Sequence, residues 1–390
     1  MRSNWLKKTI LFLTGQTITL FGSALVQFAI SWHMTLTTKS GVVMTIATLC
    51  GFLPQLIISP FSGVLADRFD RKKLIMLADG MIAFFTLGLF AAFSLGYREL
   101  WLLYVISAIR AIGAGLQSPA VSAFLPDLVP EDKLMKVNGF NSAIQSAMML
   151  IAPAAAGGLY ARMGLQPVFL VDVATAIIGI GILFFIKVQQ KAKNTLEPVT
   201  FFEDMKLGIR YVKNTAWLWQ FLLFYLIYAF MYGPVVFLTP LMVARSFGEE
   251  AWRLVAHETV FAVGMIIGGF SVSLLGGKFK NKSLMVVWAC ALFGATTFLM
   301  GLSKTFIFYL GVMGRVFGLM TVINSAAMPL SMVVFGPLAD VISVELQLVV
   351  TGLLMIVISL GMLRAKEMLQ AGLIAPKGAQ SPAPYPAQTE

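Results

Sequence analysis

VLADRFDRKKL, residues 64–74, and LLGGKFKNKSL, residues 274–284, are one pattern written twice. At an offset of 210 residues Leu65 meets Leu275, Arg68 meets Lys278, Phe69 meets Phe279, Lys72 meets Lys282 and Leu74 meets Leu284. Each copy is a short polar turn between long apolar runs, so the chain has two halves on one plan, the signature of a transporter fold. Outward from these turns, the runs without charge are Thr9–Thr38, Ser40–Ala66, Val137–Ala161, Asn214–Ala244, Thr259–Gly277, Ser283–Ser303 and Val316–Ala339. Leu74–Tyr97, Leu100–Pro126 and Met163–Ile186 are each broken once, by Asp79, Arg110 and Asp172. A bilayer core takes about 20 apolar residues per helix, and the runs are of that order. With 58% hydrophobic and 12% charged residues, against about 25% charged in soluble domains, the chain reads as an all-α membrane protein. The run after Lys7 and Lys8 is too long for the core of a removable signal, so the first helix is expected to stay.

A net charge of +11 could suggest a nucleic-acid partner, but the placement of the charges excludes it. With the N-terminus in the cytoplasm and strict alternation, 22 of the 29 Lys and Arg fall on the inner face, six on the outer face and Arg110 in mid-membrane. That is the positive-inside pattern. Cys50 and Cys290 fall in apolar spans, and His33 and His257 are far apart, so neither a disulfide framework nor a metal site is indicated. No nucleophile and base, paired acids or nucleotide loop appears, which argues against an enzyme.

Six spans over 1–187 precede a polar linker, 188–214, in which Phe201, Phe202, Met205, Ile209 and Val212 make the apolar face of a surface helix. The second bundle covers 215–366, and a Pro-rich tail, 367–390, has no means of burying a core. Within the second half the register slips. Lys136-Val137 corresponds to Arg315-Val316, Gly157 to Gly336 and Lys187 to Lys366 at an offset of 179, which is 31 smaller than 210. About one helix and a loop is therefore absent between the ninth span and Arg315. What remains, Thr305–Gly314, is too short to cross, so the second half is expected to lack most of its tenth span and to hold about five full ones.

GVLADRFDRKK, residues 63–73, resembles the loop between the second and third helices of the major facilitator superfamily, Gly-x-Leu-Ala-Asp-Arg/Lys-x-Gly-Arg-Arg/Lys, with Asp70 in place of the second glycine. Together with SPAVSAFLPDLVPEDKLMKVNGF, residues 118–140, and GRVFGLMTVINSAAMPLSMVVFGPLAD, residues 314–340, it resembles the drug-exporter branch that holds the macrolide efflux proteins. The resemblance implies a two-bundle fold, and gating by Gly63, Asp67, Arg68, Arg71 and Lys72. In the family the acid matching Asp67 lies near a helix N-terminus of the other half, where the dipole favours an anion.

Arg110 has ten uncharged residues before it and sixteen after it, too many for it to snorkel, so it needs a partner or a wet cavity. It is expected to face the central cavity; the competing reading is a static hydrogen-bond network. Asp172 is the better proton site, and Asp79 fits packing or an interface more closely than proton carriage. Gln16, Thr19, Ser23, Gln27 and Ser31 share one face of the first helix, and the two glutamines suggest a cavity lining. Phe221, Tyr225, Tyr228 and Tyr232 form an aromatic stripe on the seventh span, either packing or a wall for large amphipathic substrates. Pro153, Gly157 and Gly158 lie in APAAAGG, residues 152–158, which resembles an antiporter motif of the superfamily; a hinge and tight packing are both open there.

The expectation is a multi-pass protein of a bacterial-type inner membrane, monomeric and without cofactor. It would export lipophilic or macrolide-like compounds into or past the membrane lipid, driven by exchange for protons. The rivals are an exporter of a siderophore or other metabolite, a membrane sensor, and a deletion variant that no longer transports.

Overall fold

The computed structural model describes residues 4–186, 210–275, 281–317 and 328–371. The linker apart from its helical end, 210–214, and the tail beyond 371 lie outside the described residues, as do the side chains of Asp67 and Arg68.

The first half is α1 (Asn4–Thr38), α2 (Gly41–Arg68), α3 (Arg71–Ser94), α4 (Leu100–Leu128), α5 (Glu131–Met163) and α6 (Gln166–Phe185). The second is α7 (Ala216–Phe237, continued by Thr239–Met242 and a π-helical turn, Val243–Phe247), α8 (Ala251–Leu275), α9 (Lys282–Gly301), α10 (Phe306–Phe317), α11 (Met328–Ala339) and α12 (Val344–Gly361), with a short α13 (Lys366–Ala371) after it. Among the described residues ten helices are long and apolar enough to cross a membrane. Large apolar side chains such as Phe84, Ile177, Phe185, Phe270 and Val357 stay exposed on the outside, where hydrocarbon and not water is the solvent.

The polar turns start helices by supplying acceptors for free N–H groups. Ser40 caps α2 by accepting from Val43, Asp70 caps α3 by accepting from Lys72 and Lys73, and Asn281 caps α9 by accepting from Leu284. Asp70, the departure from the superfamily pattern, is thus the cap of the third helix.

The halves repeat their internal packing. α1 packs on α5 and α6, and α3 on α4 and α6, as α7 packs on α11 and α12, and α9 on α10 and α12; α2 with α4 is matched by α8 with α10. This pairing puts α10 in the tenth position and α11 in the eleventh. Their described parts are Phe306–Phe317 and Met328–Ala339.

The expected boundary moves. α10 runs as one helix through Gly314 and Arg315 to Phe317, so the helix in the tenth position crosses the expected boundary at Arg315. Four helices of the second half reach span length among the described residues. The start of α10 and the end of α11 mark one end of the molecule: α10 begins beside Phe247 and Trp252, and the residue after α11 lies against Ser40 and Gly41. We call this the Lys39 end, and the opposite one, with the α2–α3 turn, the Arg71 end. α12 runs from the Lys39 end to the Arg71 end, and Arg364 and Lys366 emerge beside Asn281, which donates to Leu369.

Candidate substrate cavity and the polar centres around it

Arg110 does not face a cavity between the halves. It is 6% exposed inside the first bundle and forms an ion pair with Asp172 of α6. Its other contacts are donations to Thr86 Oγ1 of α3 at 3.0 Å and to the Ser23 carbonyl of α1 at 2.9 Å. Asp172, fully buried, also accepts from Ser23 Oγ at 3.2 Å and Thr86 Oγ1 at 3.3 Å. The static network is the arrangement found, and the reason is distribution: the one charge that α4 buries meets the one that α6 buries, and four helices share the cost. Asp79 of α3 is buried and accepts from Gln117 of α4.

The polar face of α1 divides three ways. Thr19 packs against Gly179 of α6, and Ser23 joins the ion pair. Gln16 lines an open cavity of about 150 Å³ on the first bundle with Gln117, Asn141 and Gln145. Gln27 and Ser31 reach a cavity of about 290 Å³ between the halves. Thr48, Phe52 and Ser107 also line its first-half wall, and Phe237, Pro240, His257, Glu258 and Phe261 supply much of the other.

Glu258 was not singled out from the sequence, because the charge-free run starts after it at Thr259. Counting from the true start of α8 at Ala251 puts it in the second turn, inside the span, and the pattern Glu258-x-x-Phe261 puts both residues on one face. Neighbouring His257 is committed elsewhere: its Nδ1 lies 2.8 Å from the Tyr309 hydroxyl, its Nε2 lies 3.5 Å from Thr239 Oγ1, and its ring stacks on Tyr309.

The aromatic stripe of α7 does not form one wall. Tyr228 is buried and donates to the Cys290 carbonyl of α9 at 2.9 Å, and both Tyr228 and Tyr232 pack on Phe293. A buried phenol needs an acceptor, and α9 provides it, so these two tyrosines are packing inside the second half. Phe221 and Tyr225 stack on each other.

The halves meet at the Lys39 end. Gly157 of α5 lies so close to α8 that a Cβ there would stand 2.0 Å from Val255 Cγ2, whereas Gly158 faces open space. α5 continues as helix through Pro153, so this stretch is a close seam, with Gly157 its contact point. Gly336 of α11 lies equally close to Thr45 of α2, whose hydroxyl donates to the Met332 carbonyl at 3.0 Å.

Asp340, just after α11, accepts from Ser40 Oγ at 2.7 Å and from the backbone N–H groups of Gly41 at 2.6 Å and Val42 at 3.0 Å, at the N-terminus of α2 in the other half. Arg245 bonds both Asp340 and the Lys39 carbonyl. Partial burial would raise the Asp340 carboxyl, but the donations from Val42, Gly41, Ser40 and Arg245 together hold it below the usual carboxylate value. A sequence signal existed: Gly336-Pro-Leu-Ala-Asp340 repeats the Gly63-Val-Leu-Ala-Asp67 of the polar turn.

At the Arg71 end the charges of that turn brace the first bundle. Arg71 donates to the Ala66 and Ala123 carbonyls and pairs with Asp127 at 2.7 Å, and Lys72 donates to the Phe184 and Ile186 carbonyls that end α6. Cations at helix C-termini oppose the dipole's negative pole. Here α5 is largely exposed from Glu131 to Ile151 and buried only from Ala152 to Gly157, so the halves stand apart at this end and touch at the other.

Comparison with known proteins agrees with this architecture. The chain is 31% identical to Macrolide efflux protein A of Streptococcus pyogenes over 92% of its own length and 96% of that protein's. It is 32% identical to Macrolide efflux protein A of Enterococcus faecalis over 68% of the chain and 80% of the relative. The fold is similar to the crystal structure of a bacterial homologue of the human lysosomal transporter Spinster in an inward-facing, unoccupied conformation, with a TM-score of 0.60 at 15% identity, covering 96% of this chain and 100% of that one. Residues 12–328 match the Major Facilitator Superfamily. The repeated halves, the cavity between them and this match over most of the chain make it a transporter, not an enzyme, and a multi-pass bacterial membrane protein: it belongs to the Major Facilitator Superfamily.

Proposed function

We propose that the chain exports lipophilic, macrolide-like compounds across the bacterial plasma membrane in exchange for protons, with its N-terminus in the cytoplasm. The observation that carries this reading is the inter-half cavity, where aromatic side chains from both halves stand beside the neutral polar groups of Gln27, Ser31 and Ser107. Such a lining suits a large amphipathic molecule better than a sugar or an inorganic ion. The orientation is supported by Arg71, Lys72 and Lys73 at the start of α3, Lys282 at the start of α9 and Arg364 and Lys366 after α12, all at the Arg71 end, which makes that end cytoplasmic. The identity to two macrolide efflux proteins supports the substrate class. Accumulation of a panel of macrolides and other lipophilic compounds, in cells with and without the chain, tests it. Lower accumulation that a proton uncoupler restores is the expected outcome; equal accumulation in both cells overturns the reading.

The shortage of 31 residues in the second half favours a second reading, in which the chain binds substrate but does not complete the transport cycle. Inserting roughly 31 residues, about one helix and a loop, between Phe317 and Met328 distinguishes the two. Under the second reading only the extended chain exports; equal export by both discards it.

A further inference from the structure

Toward the Arg71 end α1 and α5 enclose an open apolar groove of about 910 Å³, which shares no residue with the cavity between the halves. It follows α1 from Trp5 to Ile18, about 20 Å at 1.5 Å per residue. That is half of a bilayer about 40–45 Å thick with its headgroup regions. Leu13 and Val137 set its floor against the core of the first bundle, while Leu6, Ile10 and Phe140 along it keep more than half of their surface exposed. A trough of that depth and lining suits an acyl chain. Its outer end is polar. Trp5 stands there, and indoles collect at the membrane–water boundary; Lys133 and Lys136, one turn apart at the start of α5, line the same end. Among the described residues Lys133 pairs with its exposed neighbour Asp132 at 3.1 Å, and Lys136 makes no ion pair. Neither Asp132 nor Glu131 lines the groove. Thr9, one turn inside Trp5, gives a second and independent sign. It lines the groove and is 2% exposed, and its Oγ1 has no hydrogen-bond partner among the described residues. The hydroxyls of Thr17 and Thr19 on the same helix donate back to the Leu13 and Gly15 carbonyls. That of Thr9 makes no such bond, and a buried hydroxyl without a partner is costly.

We propose that this groove binds an anionic phospholipid, with the headgroup phosphate at Lys133 and Lys136, a glycerol-ester carbonyl accepting from Thr9 and an acyl chain lying along α1. Two lysines, a buried donor one turn deeper and an apolar trough beyond them follow the order of charge, ester and hydrocarbon in such a lipid. Trp5 serves as the reporter. The full chain in detergent is titrated with phosphatidylglycerol or phosphatidylcholine carrying the same brominated acyl chains, and the quenching that wild type shows and Trp5→Phe lacks is followed. Phosphatidylglycerol is expected to half-saturate that quenching at a concentration about thirtyfold lower than phosphatidylcholine, the equivalent of about 1 kcal/mol for each of two lysines. Lys133→Gln with Lys136→Gln, both at exposed positions, should bring the two lipids within about threefold of each other, while Lys133→Arg with Lys136→Arg keeps the preference. Thr9→Val should weaken both lipids by about fivefold, because the ester carbonyl is common to them. The proposal is overturned by equal affinity for the two lipids in wild type, by a preference that survives the glutamine variant, or by a Thr9→Val chain that binds as wild type. It is overturned too if neither lipid quenches Trp5, as when a second copy of the chain holds the groove. Binding is read without transport, so this inference and the exporter reading fail separately.

Discussion

Asp172 and Glu258 are both membrane-buried acids, and their circumstances are opposite. Asp172 lies at the centre of the first bundle with a guanidinium and two hydroxyls against it, drawn from α4, α1 and α3. Glu258 lies between the bundles in a cavity whose lining offers it no cation. The difference teaches that expense alone does not mark a working residue. A charge compensated from four helices is part of the architecture, because moving any one helix breaks the set. A charge that no helix compensates can be changed without breaking such a set.

The largest expected effect tests the architectural side. Arg110→Ala strands Asp172 without its partner, which costs about 3–5 kcal/mol, so folded protein recovered by size-exclusion chromatography should fall sharply. Replacing both partners, Arg110→Leu with Asp172→Leu, should recover most of it. If Arg110→Ala accumulates as folded wild type and loses only efflux, the pair belongs to the transport machinery and the contrast with Glu258 collapses.

The closed end comes next. Gly336→Ala places a methyl 1.6 Å from Thr45 Oγ1, and overpacking of this kind costs about 1–3 kcal/mol. A cysteine introduced at Ser31 should then react faster with an impermeant maleimide added from outside. Unchanged labelling would mean that the α2–α11 seam does not seal the cavity.

A smaller effect, about 1 kcal/mol as for loss of a helix cap, is expected of Asp340→Asn by the same labelling assay. The acid also has a pH signature. Its carboxyl is held below the ordinary value in the closed state, so its contribution is fully present above the ordinary carboxylate range and is lost as pH falls through the depressed value. Labelling at Ser31 should rise on acidification in the wild type and lose that component in Asp340→Asn.

The smallest effect sharpens the comparison from the other side. Glu258→Gln replaces a carboxyl that makes no ion pair or hydrogen bond among the described residues, so its thermal midpoint in detergent should match wild type or rise slightly, while Asp172→Asn, which leaves Arg110 without its ion pair, should lower it. A clear loss for Glu258→Gln would mean that the carboxylate has a structural partner after all.

How far the site was legible follows from the same residues. Asp79, Arg110 and Asp172 stood out because each interrupts a long apolar run. Glu258 did not, because it sits at the edge of one and only the helix start at Ala251 places it inside. The polar face of α1 was visible as a face, yet its members serve three environments, since a tilted helix of 35 residues passes α6, an open cavity on its own bundle and the inter-half cavity. The aromatic stripe of α7 leaves packing and a cavity wall equally open in the sequence, and α9 claims Tyr228 and Tyr232 for packing.

By itself the sequence determined what depends on composition and count: the spans, the two halves, the shortage of 31 residues in the second, and the segregation of Lys and Arg. These are set by the transfer of each segment between water and hydrocarbon, which a segment undergoes on its own terms. Only the tertiary structure decided which buried charge meets which, that α10 begins and α11 ends at the same end of the molecule, and that Asp340 caps the first turn of α2. Those outcomes depend on how each helix is rotated and tilted against its neighbours. Helical periodicity tells which residues share a face, but the neighbours decide what that face meets.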